Sequence, residues 1–410
     1  MDRHRCRFCA DELDETFIDL GLSPLANSFV PPERADTTEP IYPLHARACR
    51  ACGLVQLPQF ESVASIFDQY LYYSSYSESW LHHCESYAAA MIARAKLGVT
   101  SVVIEIASND GYLLQYFRRA GIRVLGVEPA SGPAAAAIAK DIPTRTCYFG
   151  RDVARALRAE GHRPDLVVAN NVLPHVTDIN DFVAALRILL PETGRATLEL
   201  PHLLHLIEGI QFDTIYHEHL SYFLLATLET VFRAHGLRIF DVEELPTHGG
   251  SLRLHVCNQA APEGPSPALE RLRRREAEAG IHQAATYRGF REKVAAKREM
   301  IRGFLVAARR AGKTVLAYGA PAKGNTLLNY CGVTCELIPF TVDRNPHKQG
   351  LLLPGSHLPV RDPAALIAAK PDYVFILPWN LKDEVIAQLP EVRRWGGQFV
   401  VPAPDLTIIS

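Results

Sequence analysis

Two Cys-x-x-Cys pairs near the N-terminus constrain this chain more than any other feature. Cys6 and Cys9 form the first pair, and Cys49 and Cys52 form the second. Each short turn lets two thiolates point at one centre, so the two pairs together supply the four ligands of a closed tetrahedral zinc site. The alternative is two unrelated pairs of buried cysteines. A zinc ion with four protein ligands has no open position for a substrate, so the pattern predicts a structural zinc domain.

Length and composition limit the classes of protein to consider. The chain has 410 residues, which is too long for a single hydrophobic core and predicts two or three domains. Its net charge of −2 gives no overall field that would favour nucleic acid or an anionic membrane. The sequence contains no apolar run that resembles a membrane span or a signal peptide, and its other cysteines are scattered as in reduced cytosolic proteins. We therefore expect a cytoplasmic monomer that binds neither nucleic acid nor membrane.

The order of apolar runs predicts two α/β domains after the zinc domain. From Ser101 onward, short apolar runs alternate with helix-like segments, which is typical of βαβ units and a parallel sheet. The segment 266–311 is predicted as a long charged helix between two lobes. We predict a zinc domain at 1–66, a central domain at 67–285 and a C-terminal domain at 286–410. The predicted strands are 102–106, 124–128, 166–169, 196–200, 252–257, 314–318, 337–342, 373–377 and 398–401, and the predicted helices include 112–120, 179–190 and 224–235.

The loop after the first central strand has the character of a cofactor site. Ligands of doubly wound folds bind at the carboxyl ends of the strands, and the segment 105–111 lies at such an end. Its spacing of an acidic residue, a small residue and a glycine parallels the first motif of S-adenosylmethionine methyltransferases. An NAD site would require G-x-G-x-x-G, whereas this loop has Gly111 alone, and Asp110 would repel a pyrophosphate. A plain strand–helix turn remains open. The predicted cofactor-binding residues are Glu105, Ala107, Ser108, Asn109 and Gly111, with Glu128 for the ribose and Asn170 and Asn171 on the same rim.

The segment 216–222, Tyr-His-Glu-His-Leu-Ser-Tyr, is the strongest candidate for chemistry outside that loop. Such a run of titratable side chains is costly to bury, so it is usually exposed or catalytic. One interpretation is a metal site in which His217 and His219 share a strand face. A solvated loop is the second, and a general base that takes a moderately acidic C–H proton is the third. His175 follows another predicted strand and could join the same cleft.

Taken together, these motifs resemble the antibiotic deoxysugar C-methyltransferases, which act on TDP-linked keto sugars. The resemblance covers almost the whole length and rests on the four cysteines and on the segments 21–27, 108–111, 216–222, 248–252 and 318–326. It implies an α/β protein with a small N-terminal zinc-binding domain, a central Rossmann-like S-adenosylmethionine methyltransferase domain and a C-terminal Rossmann-like domain. One departure is Ala107, where the family usually has glycine.

The resemblance also implies roles for individual residues. His219 corresponds to the catalytic base, with Glu218 and Tyr216 beside it, and His175 corresponds to a further active-site position. The residues implied in substrate binding are Tyr70, Lys323 and Asn325. Lys323 is the candidate for the diphosphate of the TDP-sugar because of its charge and a nearby helix start.

The implied reaction is methylation at C3 of a TDP-linked 4-keto deoxysugar. The ketone acidifies the C3 hydrogen, His219 would remove it, and Tyr216 or His175 could donate a hydrogen bond to the enolate oxygen. Three alternatives remain open. They are a C5-, O- or N-methyltransferase on a nucleotide sugar, a non-enzymatic zinc-ribbon adaptor, and an NAD-dependent sugar oxidoreductase.

Overall fold

The computed structural model describes residues 5–62, 74–281 and 283–410. Tyr70, implied in substrate binding, lies outside these residues. Within them, three β-sheets organise the chain. No helix in these ranges is long and apolar enough to cross a bilayer.

The N-terminal region is a small antiparallel sheet. Its strands are β1 (Glu15–Ser23), β2 (Tyr42–Ala48) and β3 (Val55–Gln56), and a short 3-10 helix (Pro32–Arg34) lies in the connection between β1 and β2. β2 pairs with both β1 and β3. Leu44, Ala46 and Ala48 of β2 are buried in alternation with more exposed neighbours, which is the period of a half-buried strand.

The central region alternates helices and strands. Its first long helix begins where the Ser77 side chain accepts a hydrogen bond from the amide of Trp80, a standard N-cap. In chain order the elements are α1 (Glu78–Ala95), β4 (Val102–Ile106), α2 (Leu114–Arg119), β5 (Arg123–Val127), α3 (Ser131–Ala139), β6 (Thr144–Arg145), α4 (Arg151–Ala159), β7 (Leu166–Asn170), α5 (Ile179–Leu189), β8 (Arg195–Pro201), α6 (Leu203–Glu208), β9 (Ser221–Tyr222), α7 (Leu225–Ala234), β10 (Leu237–Leu245), β11 (Ser251–Asn258) and α8 (Pro267–Ala279).

Seven of these strands form one sheet, in the order β10-β11-β8-β7-β4-β5-β6. The strands from β4 to β8 pair in parallel, whereas β11 is antiparallel to both β8 and β10. When the seven strands of this sheet are numbered in chain order from β4 and read from the β6 edge, the order is 3-2-1-4-5-7-6. This is the doubly wound order with one antiparallel strand inserted before the last. The predicted Rossmann-like central domain is therefore confirmed.

The C-terminal region repeats this design on a smaller scale. Its elements are α9 (Ala284–Arg310), β12 (Val315–Tyr318), α10 (Ala322–Tyr330), β13 (Thr341–Val342), β14 (Val360–Arg361), α11 (Pro363–Ala369), β15 (Tyr373–Ile376), α12 (Lys382–Gln388), α13 (Glu391–Arg394), β16 (Gln398–Val401) and β17 (Thr407–Ile409). The sheet order is β14-β13-β12-β15-β16-β17, which is 3-2-1-4-5-6 within the domain. All pairs are parallel except that of β16 with β17. The second Rossmann-like domain is thus confirmed as well.

The three regions share cores and strands. Phe17 of β1 packs on Tyr287 and Phe290 of α9, with ring centroids 5.2 and 5.1 Å apart. β9 pairs with β3 and becomes the fourth strand of the N-terminal sheet. The predicted domain boundaries after residues 66 and 285 stay predictions, and residue 66 lies outside the described residues.

Three sequence interpretations need correction. The helix predicted at 266–311 is two helices, because Gly280 adopts the left-handed conformation (φ +58°) and ends α8. The strand predicted at 337–342 is limited to Thr341–Val342. His217 and Glu218 form a turn, so a shared strand face for His217 and His219 is wrong.

A buried carboxylate from α8 caps α7. Glu276 accepts hydrogen bonds from the amides of Leu225 (2.6 Å) and Ala226 (3.0 Å). It also lies 2.7 Å from Nε2 of His202. Amides of the first helical turn lack partners within their own helix, so this side chain satisfies two donors that would otherwise be buried without an acceptor.

We predict that Glu276→Ala lowers the free energy of unfolding by about 3 kcal/mol, because each buried donor left without an acceptor costs roughly 1–3 kcal/mol. Urea denaturation followed by circular dichroism measures the change. Glu278→Ala, at an exposed position of the same helix, is the control and should stay within about 0.5 kcal/mol of the wild type. Equal stability of the two variants would refute the capping role.

Candidate active site

The four N-terminal cysteines meet as the sequence predicts. Their Sγ atoms all lie within 4.8 Å of one another. Cys6 and Cys52 are 3.6 Å apart, and Cys9 and Cys49 are 3.5 Å apart. A tetrahedral zinc with Zn–S bonds of about 2.3 Å places its sulfurs roughly 3.8 Å apart, so the set fits zinc. Gln56 donates a hydrogen bond to Sγ of Cys6 over 3.2 Å, as an outer-shell partner would.

The loop between β4 and α2 turns sharply at the carboxyl edge of the central sheet. Ala107, Asn109 and Gly111 have φ of +55°, +48° and +76°. This left-handed region disfavours residues with a Cβ, which gives a physical reason for the glycine that the family usually has at Ala107. The amide of Ala107 donates to the carbonyl of Val127 over 2.7 Å, so the loop is fixed to the end of β5.

Glu128 joins the ends of β4 and β5. Its two carboxylate oxygens accept hydrogen bonds from the amides of Asn109 and Ala130, both at 2.8 Å. Burial raises its pKa. Each oxygen keeps a further acceptor position for a ligand hydroxyl. Gly126 lets the strands approach here, since a Cβ at this position would lie 2.3 Å from Oγ of Ser108.

The surroundings of this loop suit a polar ligand. Glu105 is fully buried, and its burial raises the pKa of the carboxyl well above the ordinary range. Buried polar atoms without a partner are costly, so a ligand or water is expected to satisfy them. Within the described residues, such atoms include Oγ of Ser108 and Oδ1 of Asp110, Asn170 and Asn171. The predicted cofactor residues therefore gather at one edge.

His219 and His175 form a histidine pair next to this edge, with ring centroids 4.8 Å apart. Nδ1 of His219 donates to the carbonyl of Thr214 (3.0 Å), and Nδ1 of His175 donates to the carbonyl of Glu218 (2.7 Å). A carbonyl can only accept, so each neutral ring carries its proton on Nδ1 and presents Nε2 as an acceptor. Nε2 of His219 accepts from the hydroxyl of Tyr216 over 2.7 Å.

Burial keeps both histidines neutral. It lowers the pKa of His175 to about 4 and that of His219 well below its ordinary value, with the positive charge of a protonated His175 as the next cause for His219. A neutral imidazole at pH 7 has the lone pair that a base needs. The pair is therefore suited to accept a proton at neutral pH.

His248 and Lys323 lie close enough to the histidine pair for their charges to act on His219. Burial, and then the charge of Lys323, lower the pKa of His248 to about 4. The charge of Lys323 also lowers the pKa of His219. Lys323 lies 2.8 Å from Oδ1 of Asn380 and 4.5 Å above the ring of Trp379, and burial lowers its own pKa to about 8.

Three predicted residues face the N-terminal region instead. Glu218 accepts from the backbone and side-chain amides of Asn27, both at 3.2 Å. Asn325 donates to the carbonyl of Ala26 over 2.5 Å. His217 donates to the carbonyl of Pro43 over 3.3 Å. The cysteine cluster is the group with metal-binding geometry in the described residues, which leaves the proposed His217–His219 metal site without support. Roles of Glu218 in catalysis and Asn325 in substrate binding stay predictions.

The sequence reasoning missed Trp379 and Asn380, which both contact the ammonium group of Lys323. Trp379 lies under its ammonium group and donates from Nε1 to Asp213 over 2.6 Å. Gly249 allows this packing, because a Cβ there would lie 2.4 Å from the Trp379 ring. Trp379 follows β15 closely, and the position of ligand sites at carboxyl ends of parallel strands is the signal that could have found it.

Known proteins similar to this chain identify its family. The C-methyltransferase NovU of Streptomyces niveus is 34% identical over 409 residues, which are 99% of this chain and 96% of that protein. The chain belongs to this C-methyltransferase family. Models of a zinc binding domain, a methyltransferase domain and a C-methyltransferase C-terminal domain match residues 6–67, 80–242 and 246–404.

Two solved methyltransferases match part of this chain. The magnesium protoporphyrin IX methyltransferase of Synechocystis PCC 6803 with bound S-adenosylmethionine is 16% identical, and the match covers 43% of this chain and 79% of that one, with a TM-score of 0.34. A methyltransferase of Anabaena variabilis ATCC 29413 is 14% identical, covers 49% and 96%, and has a TM-score of 0.38. Both scores are low, so the fold assignment rests on the strand order and the family match.

Family and geometry together define the cofactors. This C-methyltransferase depends on S-adenosylmethionine, and its second cofactor is a structural zinc bound in the cysteine cluster. The buried polar atoms around the 105–111 loop fit the first, and the four thiolates fit the second.

We predict that Glu128→Ala weakens binding of S-adenosylmethionine by about 10- to 100-fold, because a hydrogen bond to a charged group is worth about 1.5–3 kcal/mol. Titration calorimetry measures the dissociation constant. Glu192→Ala, at an exposed position of the same domain, is the control. Unchanged affinity in Glu128→Ala would show that this carboxylate does not hold the ribose.

Proposed function

We propose that this C-methyltransferase adds a methyl group to C3 of a TDP-linked 4-keto deoxysugar in antibiotic deoxysugar biosynthesis. The observation that carries the proposal is the pair of buried, neutral histidines beside the cofactor edge. Methylation of a carbon requires removal of a C–H proton, whereas oxygen and nitrogen acceptors already carry lone pairs. A C4 ketone acidifies the C3 hydrogen enough for an imidazole base.

The proton path starts at Tyr216. Because its hydroxyl donates to Nε2 of His219, the nitrogen lone pair already has a partner. We therefore propose that the oxygen of Tyr216 takes the C3 proton as its own proton moves to Nε2 of His219. The electron pair of the broken C–H bond stays on the sugar as an enolate, and the positive charge resides on His219. Thr214 stabilises that charge, since its carbonyl accepts from Nδ1.

The role that we propose for His175 differs from the hydrogen bond to the enolate oxygen that the sequence suggested. Its Nδ1 proton is bound to the carbonyl of Glu218, so in this tautomer it has no second N–H to donate to an enolate oxygen. We propose that His175 orients His219 through the edge-to-face contact of their rings. Lys323 would bind the anionic diphosphate of the substrate, with Asn325 and Tyr70 as further predicted contacts.

The bound cofactor supplies an electrophilic methyl group for the nucleophilic carbon. The protein's own contribution is to hold the 105–111 loop and the histidine pair at one edge, since alignment of reacting groups provides a large part of rate enhancement. The small-molecule substrate, the cytoplasmic location and the monomeric state stay predictions.

The alternatives differ in their need for a base. A C5-methyltransferase on the same class of sugar would use the same residues, and analysis of the product distinguishes it. An O- or N-methyltransferase would depend less on His219. The membership in an enzyme family removes the non-enzymatic zinc-ribbon adaptor.

We predict that His219→Asn loses both solvent deuterium exchange at C3 and methyl transfer, by at least about 100-fold, because a positioned base typically contributes about 10²–10⁴-fold. Mass spectrometry of a TDP-4-keto sugar in D₂O and with labelled cofactor measures both. His217→Asn, which loses the hydrogen bond to the carbonyl of Pro43 and the ring contacts with Tyr42 and Phe60, should remain within about tenfold of the wild type. The reverse pattern would make His217 the base.

We predict that kcat for methyl transfer has its acid limb below pH 6.5. Burial lowers the pKa of His219, so the base stays neutral at pH 7 and becomes protonated, and inactive, only when the pH falls through this lowered pKa. Lys323→Met removes a positive charge that opposes protonation, so its acid limb should move to higher pH at saturating substrate. A limb near 6.5 or above in the wild type would contradict a buried histidine base.

A further inference from the structure

The segment that carries His219 is attached to the zinc region. β9 starts two residues after His219 and pairs with β3, with Gln56 opposite Ser221 and Val55 opposite Tyr222. The amide of Leu57 extends this ladder by donating to the carbonyl of Leu220 over 3.0 Å. His219 therefore lies at the edge of the sheet that holds the cysteine cluster.

The first zinc knuckle contacts this ladder through Arg7, which lies between the ligands Cys6 and Cys9. The amide of Arg7 donates to Oε1 of Gln56 over 2.9 Å, and its guanidinium donates to the carbonyl of Leu57. Leu57 thus accepts a hydrogen bond from Arg7 through its carbonyl and donates one to Leu220 through its amide. A shift of Arg7 would be transmitted to the residue that follows His219.

The same knuckle contacts the segment that carries His175. Nη1 of Arg7 lies 3.5 Å from the carbonyl of Thr177, two residues beyond His175. The carbonyl of Phe8 accepts a hydrogen bond from Nδ2 of Asn180 over 2.9 Å, at the start of α5. Two neighbouring knuckle residues are therefore bonded to the chain just after His175.

We propose that Arg7 is a positioning residue that sets the spacing of His175 and His219. Its guanidinium is a planar fork with donors in fixed directions, so it can hold two carbonyls at a defined separation. The carbonyl of Thr177 belongs to the segment that carries His175, and Leu57 is hydrogen-bonded to Leu220 of the segment that carries His219. The zinc knuckle fixes the backbone of Arg7, and the zinc region thereby acts in catalysis as well as in folding.

The test compares Arg7→Met with Thr227→Val in the full-length chain. Methionine keeps much of the apolar stem and removes the donors. Thr227 donates to the carbonyl of the zinc ligand Cys52 over 3.1 Å, but it lies on α7, and among the described residues its side chain has no hydrogen bond to either histidine segment, so its variant is the matched control. Both variants retain all four cysteines and should keep the zinc content of the wild type.

We predict that Arg7→Met lowers kcat by about 10- to 100-fold, because loss of an outer-shell contact or a 1 Å misplacement has effects of this size. The affinity for S-adenosylmethionine should be unchanged. In NMR spectra with ¹⁵N-labelled histidine, the imidazole signals of His175 and His219 should shift in Arg7→Met and not in Thr227→Val. Arg7→Lys can reach the carbonyl of Leu57 or of Thr177 but not both, so its kcat and its imidazole shifts should be intermediate. This variant also tests the proposal if Arg7→Met does not fold.

The activity measurement rests on the proposed sugar substrate, whereas the NMR measurement does not. Wild-type protein that methylates no TDP-4-keto sugar would overturn the proposed function alone. Unchanged imidazole signals in Arg7→Met and Arg7→Lys would overturn the positioning role, and so would equal values of kcat in Arg7→Met and Thr227→Val.

Discussion

The backbone pairing of β3 with β9 is the interaction on which the active site depends. It covers only two residues on each strand, yet it joins the zinc region to the turn that presents His219. Two-stranded pairings of this length are not stable alone, so the pairing depends on the cysteine cluster and on β2 to hold β3. A metal without an open coordination position can in this way determine where a base lies.

Burial is the second constraint, and it favours the neutral form of the histidines and of Lys323. It is the largest cause of the lowered pKa of His175, His219, His248 and Lys323. The histidines are made neutral, whereas Lys323 keeps a pKa near 8 and is therefore mostly protonated at pH 7. Among these four described groups, Lys323 is a cation beside neutral imidazoles, which favours an anionic substrate, and the low polarity of the surroundings strengthens its attraction to that substrate.

Local sequence patterns predicted the elements and the cysteine site well. β4, β5 and β7 are short, mostly apolar runs with distinct ends, as expected for parallel strands whose two faces are both covered by helices. The break between α8 and α9 was missed, because a lone glycine within a charged helical pattern is ambiguous until its φ is known. The contacts of Glu218 with Asn27 and of Asn325 with Ala26 join residues far apart in the chain, and no periodicity reports such pairs.

Ala107 shows how a departure from a family pattern acquires a physical meaning. At φ +55° an alanine is strained where a glycine would not be, but glycine also loses more conformational entropy on folding. The two effects partly offset each other, so the loop can retain its shape with alanine. The hydrogen bonds from the amide of Ala107 to Val127 and from Asn109 to Glu128 hold the strained segment on both sides. Because those bonds involve the backbone, they do not depend on which side chain position 107 carries, and the departure leaves the frame of the cofactor site intact.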